Sequence, residues 1–272
     1  MDAALLLLAD SRLPAGGHGH SGGAEQAVRI GAITGPEELA RFLRGRLATS
    51  GLVAAALSAA ACSLATTPAN PSAGPSDRAR QEGDAAIGAA GREDQDARPA
   101  AAEREWRELD AEADARTASP AQRGAARTQG RLLVRSGRRI WPSPALDTLA
   151  RAVPDGAHHP IALGAVAAAA GCSPHDAALA AAYTSITGPA TAAVRLLGLD
   201  PVVVHRVLAG LAPDISGVAR TAAASAARAA AQGTAGEAVA RTTWENLPAH
   251  AAPALDLLAE QHLRTEVRLF VS

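Results

Sequence analysis

The chain has 272 residues, of which 48% are hydrophobic and only 2% aromatic, so its core must be built mostly from alanine and leucine. All 26 basic residues are arginine, which excludes a P-loop phosphate site and Schiff-base catalysis, because both need a lysine. A net charge of -1 weighs against nucleic-acid binding and favours proteins or small molecules as partners.

The first element is a leucine run at residues 5–8, preceded by Asp2 and by no basic region. It is too short for a signal peptide or a membrane span, and so is the longest apolar run, residues 161–172. We therefore expect a cytoplasmic protein that does not insert into a membrane. The two cysteines, Cys62 and Cys172, lie in alanine-rich runs and are expected in the core.

A glycine-rich stretch, GGHGHSGG at residues 16–23, allows two chemical interpretations. Its glycines match the spacing of a dinucleotide-binding loop, but Pro14 separates them from any strand, so we reject that match. His18 and His20 are weak candidates for metal ligands, since no third ligand follows at a typical spacing. Two interpretations stay open that do not exclude each other. One is a shaped turn between helices, in which Ser21 caps the next helix and Glu25 suits its first turn, and the other is a contact with a partner.

The rest of the chain contains several sequence patterns that are typical of helix N-termini. Four capping residues each precede a proline, which is favoured at the first position of a helix. These pairs are Ser119-Pro120, Ser143-Pro144, Ser173-Pro174 and Asp200-Pro201. Thr34 with Glu37 reads as a capping box, and glycines at 171, 188 and 210 stand where C-terminal caps belong.

Together these signals predict an all-α fold, a single compact multi-helix domain over residues 1–272. Helical runs are expected near 34–47, 52–65, 103–116, 121–135, 161–170, 175–186, 190–197, 202–211, 217–231 and 254–264. Residues 66–98 are rich in proline, glycine, serine and mixed charge, and we expect them to form a disordered insertion.

The C-terminal tail, residues 265–272, carries one of only two phenylalanines, Phe270. A terminus is usually mobile unless something holds it, and aromatic and arginine residues are favoured as interface anchors. Two interpretations stay open, a tail that docks onto a partner and a tail that packs onto its own domain. We favour the interpretation in which the tail docks onto a partner.

Both ends of the chain resemble the urease accessory protein UreF family. At the N-terminus the matching residues are Asp10, Ser11, Leu13, Pro14, Gly16, Gly17, His20, Ser21, Gly22, Glu25 and Gly31. At the C-terminus they are His262, Arg268, Leu269, Phe270 and Ser272. His18 and Gly19 depart from the family pattern, which has an aromatic residue and a serine there, so the two histidines are not a family metal site.

The resemblance implies a non-catalytic scaffold without a cofactor of its own. It implies binding to the accessory protein UreD, also called UreH, recruitment of the GTPase UreG, and nickel insertion into apo-urease, with a homodimer in the complex. The residues that we assign to partner binding on this basis are Asp10, Gly17, His20, Ser21, Glu25, His262, Arg268, Leu269, Phe270 and Ser272. Deletion of residues 265–272 should then abolish UreD binding without loss of helicity.

One different class stays open, a metal-dependent enzyme that uses His18 and His20. Such an enzyme should retain about one tightly bound ion per chain. A helical DNA-binding regulator would need a basic recognition helix, and the arginine-rich residues 123–139 are a weak candidate for one.

Overall fold

The computed structural model describes residues 3–10, 12–14, 16–67, 89–232 and 244–272, without the side chains of His18, Gln232 and residues 89–98. This part of the chain contains helices and no strand, which confirms the predicted all-α class. The helices are α1 (Ala3–Ala9), α2 (Ala24–Arg29), α3 (Pro36–Arg46), α4 (Leu52–Thr66), α5 (Ala89–Ala115), α6 (Pro120–Ile140), α7 (Pro144–Ala152), α8 (His159–Ala169), α9 (Pro174–Leu197), α10 (Pro201–Gly210), α11 (Ala212–Gln232) and α12 (Pro253–Leu263).

Helix α4 is the centre of the core and is packed by α8, α9 and α11. Five of its seven alanines are fully buried, as are Cys62 and most of α8. Small side chains let these helices approach closely: a Cβ atom at Gly164 of α8 would clash with the Ser58 carbonyl of α4. The low aromatic content of the sequence thus has a structural consequence, which is tight contact between helix backbones.

The capping pairs predicted from the sequence all begin helices. Ser119, Ser143, Ser173 and Asp200 are the N-caps of α6, α7, α9 and α10, and each is followed by proline. The Ser173 hydroxyl accepts the Asp176 N–H at 3.2 Å in a full capping box. Because these signals involve only neighbouring residues, the sequence alone was enough to locate them.

Three local predictions are wrong. The box at Thr34 is not formed, because Gly35 is the N-cap of α3 and Thr34 bonds Glu38 instead. Gly188 lies inside α9, which runs unbroken through the positions predicted as two helices, and Gly210 still belongs to α10. By contrast, Gly171 takes a positive φ of 85° after α8, as a C-terminal cap requires.

The predicted insertion at 66–98 falls mainly on residues 68–88, which lie outside the described residues. Ala89 to Arg98 already belong to α5, so this helix begins earlier than the predicted position near 103. Helices α3 and α4 join through a π-turn, Leu47–Gly51, into one helical run over Pro36–Thr66 that is long and apolar enough to cross a membrane. However, 67% of its most apolar window is buried inside the fold, as in the core helix of a globular protein.

Candidate functional site

The two end segments singled out in the sequence pack against each other. Val271 N donates to Gly19 O at 2.6 Å, and Ser21 N donates to Ser272 O at 2.5 Å. His20 Nδ1 lies 2.6 Å from the Ser272 hydroxyl. The glycine-rich loop, residues 16–23, and the tail, residues 265–272, therefore form one structural unit, which we call the loop–tail site.

Glu25 holds the tail by its main chain. This carboxylate is only 4% exposed, and its two oxygens accept the Leu269 N–H at 2.8 Å and the Phe270 N–H at 3.0 Å. Arg29, one turn further along α2, donates to the Val267 carbonyl at 2.9 Å. Glu25 lies in the first turn of α2, as expected. Its hydrogen-bond donors, however, come from the tail, about 245 residues away in the sequence.

His262 of α12 completes the grip on the tail. It is 2% exposed, and its Nε2 lies 3.1 Å from the Phe270 carbonyl and 3.9 Å from a Glu25 oxygen. A carbonyl only accepts, so Nε2 carries the proton and donates. Nδ1 of the same ring is buried and has no hydrogen-bond partner among the described residues.

The side chains of the tail divide into one buried anchor and several exposed residues. Phe270 is 6% exposed and packs on Ala24 and Ala192, with the Arg195 guanidinium 4.9 Å from the centre of its ring. Leu269 is 65% exposed, and Arg268 also faces solvent. The aromatic side chain packs inside the chain's own fold, which is the second of the two interpretations left open by the sequence. A role of Phe270 in partner binding stays a prediction.

Arg46 connects the glycine-rich loop to α9 at the point where Pro189 removes one helical hydrogen bond. Pro189 has no N–H, so the Ser185 carbonyl four residues earlier lacks its helical donor. Arg46 Nε fills this position at 2.8 Å, and its Nη1 donates to the Gly22 carbonyl at 2.9 Å. Burial lowers the pKa of Arg46 to about 10.

Gly22 is one of the loop positions that require glycine. Its φ of 58° lies in the left-handed region, and an added Cβ would sit 3.0 Å from Pro189 and 3.2 Å from the Arg46 guanidinium. Ser21 beside it is fully buried, and its hydroxyl accepts the Glu25 N–H at 3.3 Å. Helix α2 itself begins at Ala24 with Gly23 as N-cap, so Ser21 supports the helix start from one turn outside rather than as the predicted cap.

The loop–tail site forms one wall of a cavity of about 890 Å³. His20, His159 and His262 line this cavity, together with Arg46. Burial lowers the pKa of His20, and burial with the neighbouring His20 lowers the pKa of His159 to about 4. Both shifts favour the neutral imidazole, whose unprotonated ring nitrogen can accept a hydrogen bond.

Two further predicted residues, Asp10 and Gly17, lie before the glycine-rich loop and near its start. Asp10 pairs with Arg12 at 2.6 Å, and the side-chain hydrogen bond from Arg12 lowers the pKa of Asp10 to about 2. Gly17 starts a short 3-10 turn that also contains the backbone of His18, whose side chain lies outside the described residues. Both Asp10 and Gly17 also line the cavity.

A second polar cluster, on α5, α6 and the start of α8, was missed by the sequence analysis. Asp110 of α5 is 4% exposed, and Trp106 one turn before it is 3% exposed. Arg127 donates to Asp110 at 2.9 Å and to Asp114 at 2.5 Å, and His158 N donates to Asp110 at 2.8 Å. Only the many acidic residues near Trp106 hinted at it, and nothing local marks which of them is buried.

The described residues contain one group with metal-ligand geometry, and it is this cluster. The predicted pair of His18 and His20 stays a prediction, because the side chain of His18 lies outside the described residues. Ligand atoms of Asp110, Asp114 and His158 lie within 4.8 Å of one another. Arg127 already binds both carboxylates, and His158 Nε2 lies 2.8 Å from Asp114. These partners satisfy the group internally, so we interpret it as a structural ion network that joins three helices.

Comparison with known proteins agrees with the resemblance of the two end segments. A protein-family model described as UreF matches residues 33–212. Urease accessory protein UreF of Mycobacterium sp. (strain JLS) is 39% identical over 269 residues, which cover 98% of this chain and 97% of that protein. The protein of the same name from Mycolicibacterium vanbaalenii is 40% identical over 270 residues, 99% of this chain and 98% of that protein. The chain belongs to the UreF family of urease accessory proteins.

Proposed function

We propose that the chain is a non-catalytic scaffold of urease maturation. In this role it binds UreD/UreH, recruits the GTPase UreG and supports nickel insertion into apo-urease, as a homodimer in the cytoplasm. The accessory role follows from membership of the UreF family. We assign the partner surface to the tail because of one observation. Its main chain is hydrogen-bonded to the rest of the chain, while its solvent-facing side chains are apolar.

The main chain of the tail is fixed by Glu25, His262 and Arg29, and Phe270 is buried below it. The side chains on the outside are Val267, Leu269 and Val271, which are 81%, 65% and 62% exposed. Three exposed aliphatic residues on one short, ordered segment are typical of a surface that another protein covers. A segment that is already ordered also loses less conformational entropy when it binds.

Exposed side chains allow a cleaner test than deletion of residues 265–272, because deletion also removes Phe270 from the core. Leu269→Asp places a charge on the outer side and leaves the Leu269 N–H bond to Glu25 intact. Val202→Asp on α10 is a matched control, since Val202 is 66% exposed. The measurement is co-purification with UreD and UreG, with the complex sized by light scattering.

We expect Leu269→Asp to lose UreD and Val202→Asp to keep it, with unchanged circular dichroism for both. Equal binding by both variants would contradict the assignment of the tail, and failure of the unchanged chain to bind either partner would contradict the scaffold function itself. Metal analysis of the untagged protein tests the alternative, since a metal enzyme based on His18 and His20 should hold about one ion per chain.

A further inference from the structure

A groove lined by arginines lies between α6 and α7 and shares no lining residue with the cavity at the loop–tail site. Its volume is about 510 Å³, and Arg131, Arg135, Arg138 and Arg139 line it. Asp147 is the single carboxylate among the described residues of the lining, and it pairs with Arg138 at 2.6 Å. The groove therefore carries an excess of positive charge, in a chain whose net charge is -1.

Three of these arginines have no counter-ion in the part of the chain that the structure describes. Arg131, Arg135 and Arg139 are exposed, and they form no ion pair with any described residue. They follow one another at four-residue spacing on one helix, which places successive side chains about 6 Å apart along the groove. Guanidinium groups in such a row suit carboxylates or phosphates, which they bind in two-pronged fashion.

The floor of the groove is apolar. Val134, Leu149 and Ala157 are 7%, 1% and 3% exposed, and Val153 and Ala150 also line the groove. A nucleic-acid backbone would use the arginines but not this floor, and four arginines provide few phosphate contacts. A polypeptide with acidic and apolar side chains would use both.

We propose that this groove binds an acidic segment of another protein, in which carboxylates recur about 6 Å apart with apolar residues between them. One helical turn gives this spacing. The carboxylates pair with Arg131, Arg135 and Arg139, and the apolar side chains cover Val134 and Leu149. The site is separate from the loop–tail site and does not depend on which accessory protein binds there.

Fluorescence anisotropy with the full chain tests the proposal. The probe is a labelled helical peptide with glutamates one turn apart and leucines between them, compared with the same peptide carrying glutamine. We expect the double variant Arg135→Glu and Arg139→Glu to bind the glutamate peptide about tenfold more weakly, because each exposed ion pair contributes roughly a factor of two to five and reversal adds repulsion. The milder pair Arg135→Gln and Arg139→Gln should show a smaller loss.

The matched control reverses two arginines elsewhere, Arg206→Glu on α10 and Arg220→Glu on α11, both exposed and without an ion pair among the described residues. It gives the same change in net charge and should bind the peptide within about twofold of the unchanged chain. An equal loss in this control, or equal binding of the glutamine peptide, would overturn the proposal.

Two other occupants are tested in the same assay. Tighter binding of duplex DNA than of the peptide, lost on reversal at Arg135 and Arg139, would identify a nucleic-acid surface and overturn the proposal. The chain's own acidic residues between α4 and α5 are the second alternative. If neutralising Asp77, Glu82 and Asp84 increased the affinity for the peptide at least about fivefold, the groove would bind that segment of the chain itself, which would overturn the proposal.

Discussion

The hydrogen bonds between Glu25 and the tail can be tested with the isosteric substitution Glu25→Gln. The carboxylate accepts the Leu269 N–H at 2.8 Å and the Phe270 N–H at 3.0 Å, one at each oxygen. Glutamine keeps the size of the side chain but replaces one oxygen by an NH₂ group, which faces a donor. One of the two N–H groups then loses its acceptor in a buried position.

The expected cost follows from this geometry. A hydrogen bond to a charged group contributes about 1.5–3 kcal/mol, and here one such bond is lost. That free energy corresponds to a factor of roughly 10 to 150 in the equilibrium between docked and released tail. Because the tail can open without unfolding the core, the effect should appear as local rather than global destabilisation.

Amide hydrogen exchange measures this directly. The amides of Leu269 and Phe270 should exchange about 10- to 150-fold faster in Glu25→Gln, whereas amides of α4 should keep their protection. Glu266→Gln is the control, since Glu266 is an exposed carboxylate in the same tail. Unchanged exchange at Leu269 and Phe270 in Glu25→Gln would refute the idea that this carboxylate holds the tail.

Three further predictions concern stability. Arg46→Met leaves the Ser185 carbonyl without a donor and should lower the free energy of unfolding in urea by about 1–3 kcal/mol. The control Arg44→Met, at an exposed position of the same turn, should lower it by less than about 0.5 kcal/mol. Asp110→Asn breaks a buried ion network and should cost about 2–4 kcal/mol by the same measurement, so a loss below about 1 would count against a structural role for the cluster. Burial lowers the pKa of His159 from 6.5 to about 4 in the folded chain. Between these two pH values the unfolded chain binds more protons than the folded chain, so the free energy of unfolding should fall as the pH drops from about 6.5 to about 4. His159→Leu should therefore narrow the difference in urea midpoint between about pH 7 and about pH 5, and an unchanged difference would show that other groups cause it.

Much of the fold could be predicted because its signals are local. A capping serine or aspartate before proline acts on N–H groups within three residues, so four helix starts were located from neighbouring letters alone. The absence of alternating patterns predicted the all-α class in the same way. Local rules failed at Gly188 and Pro189, where the helix continues because Arg46, from a distant helix, supplies the missing donor to Ser185.

The sequence by itself determined the helical class, most helix starts and the family, since these depend on composition, short capping patterns and the segments at the two ends. Only the tertiary structure decided that the two end segments form one site, because Glu25 and Phe270 are about 245 positions apart and nothing local couples them. The same holds for Asp110, whose burial depends on Arg127 and His158 from other helices. The partner of a buried polar group is chosen by packing, and packing brings together residues whose sequence separation carries no periodic signal.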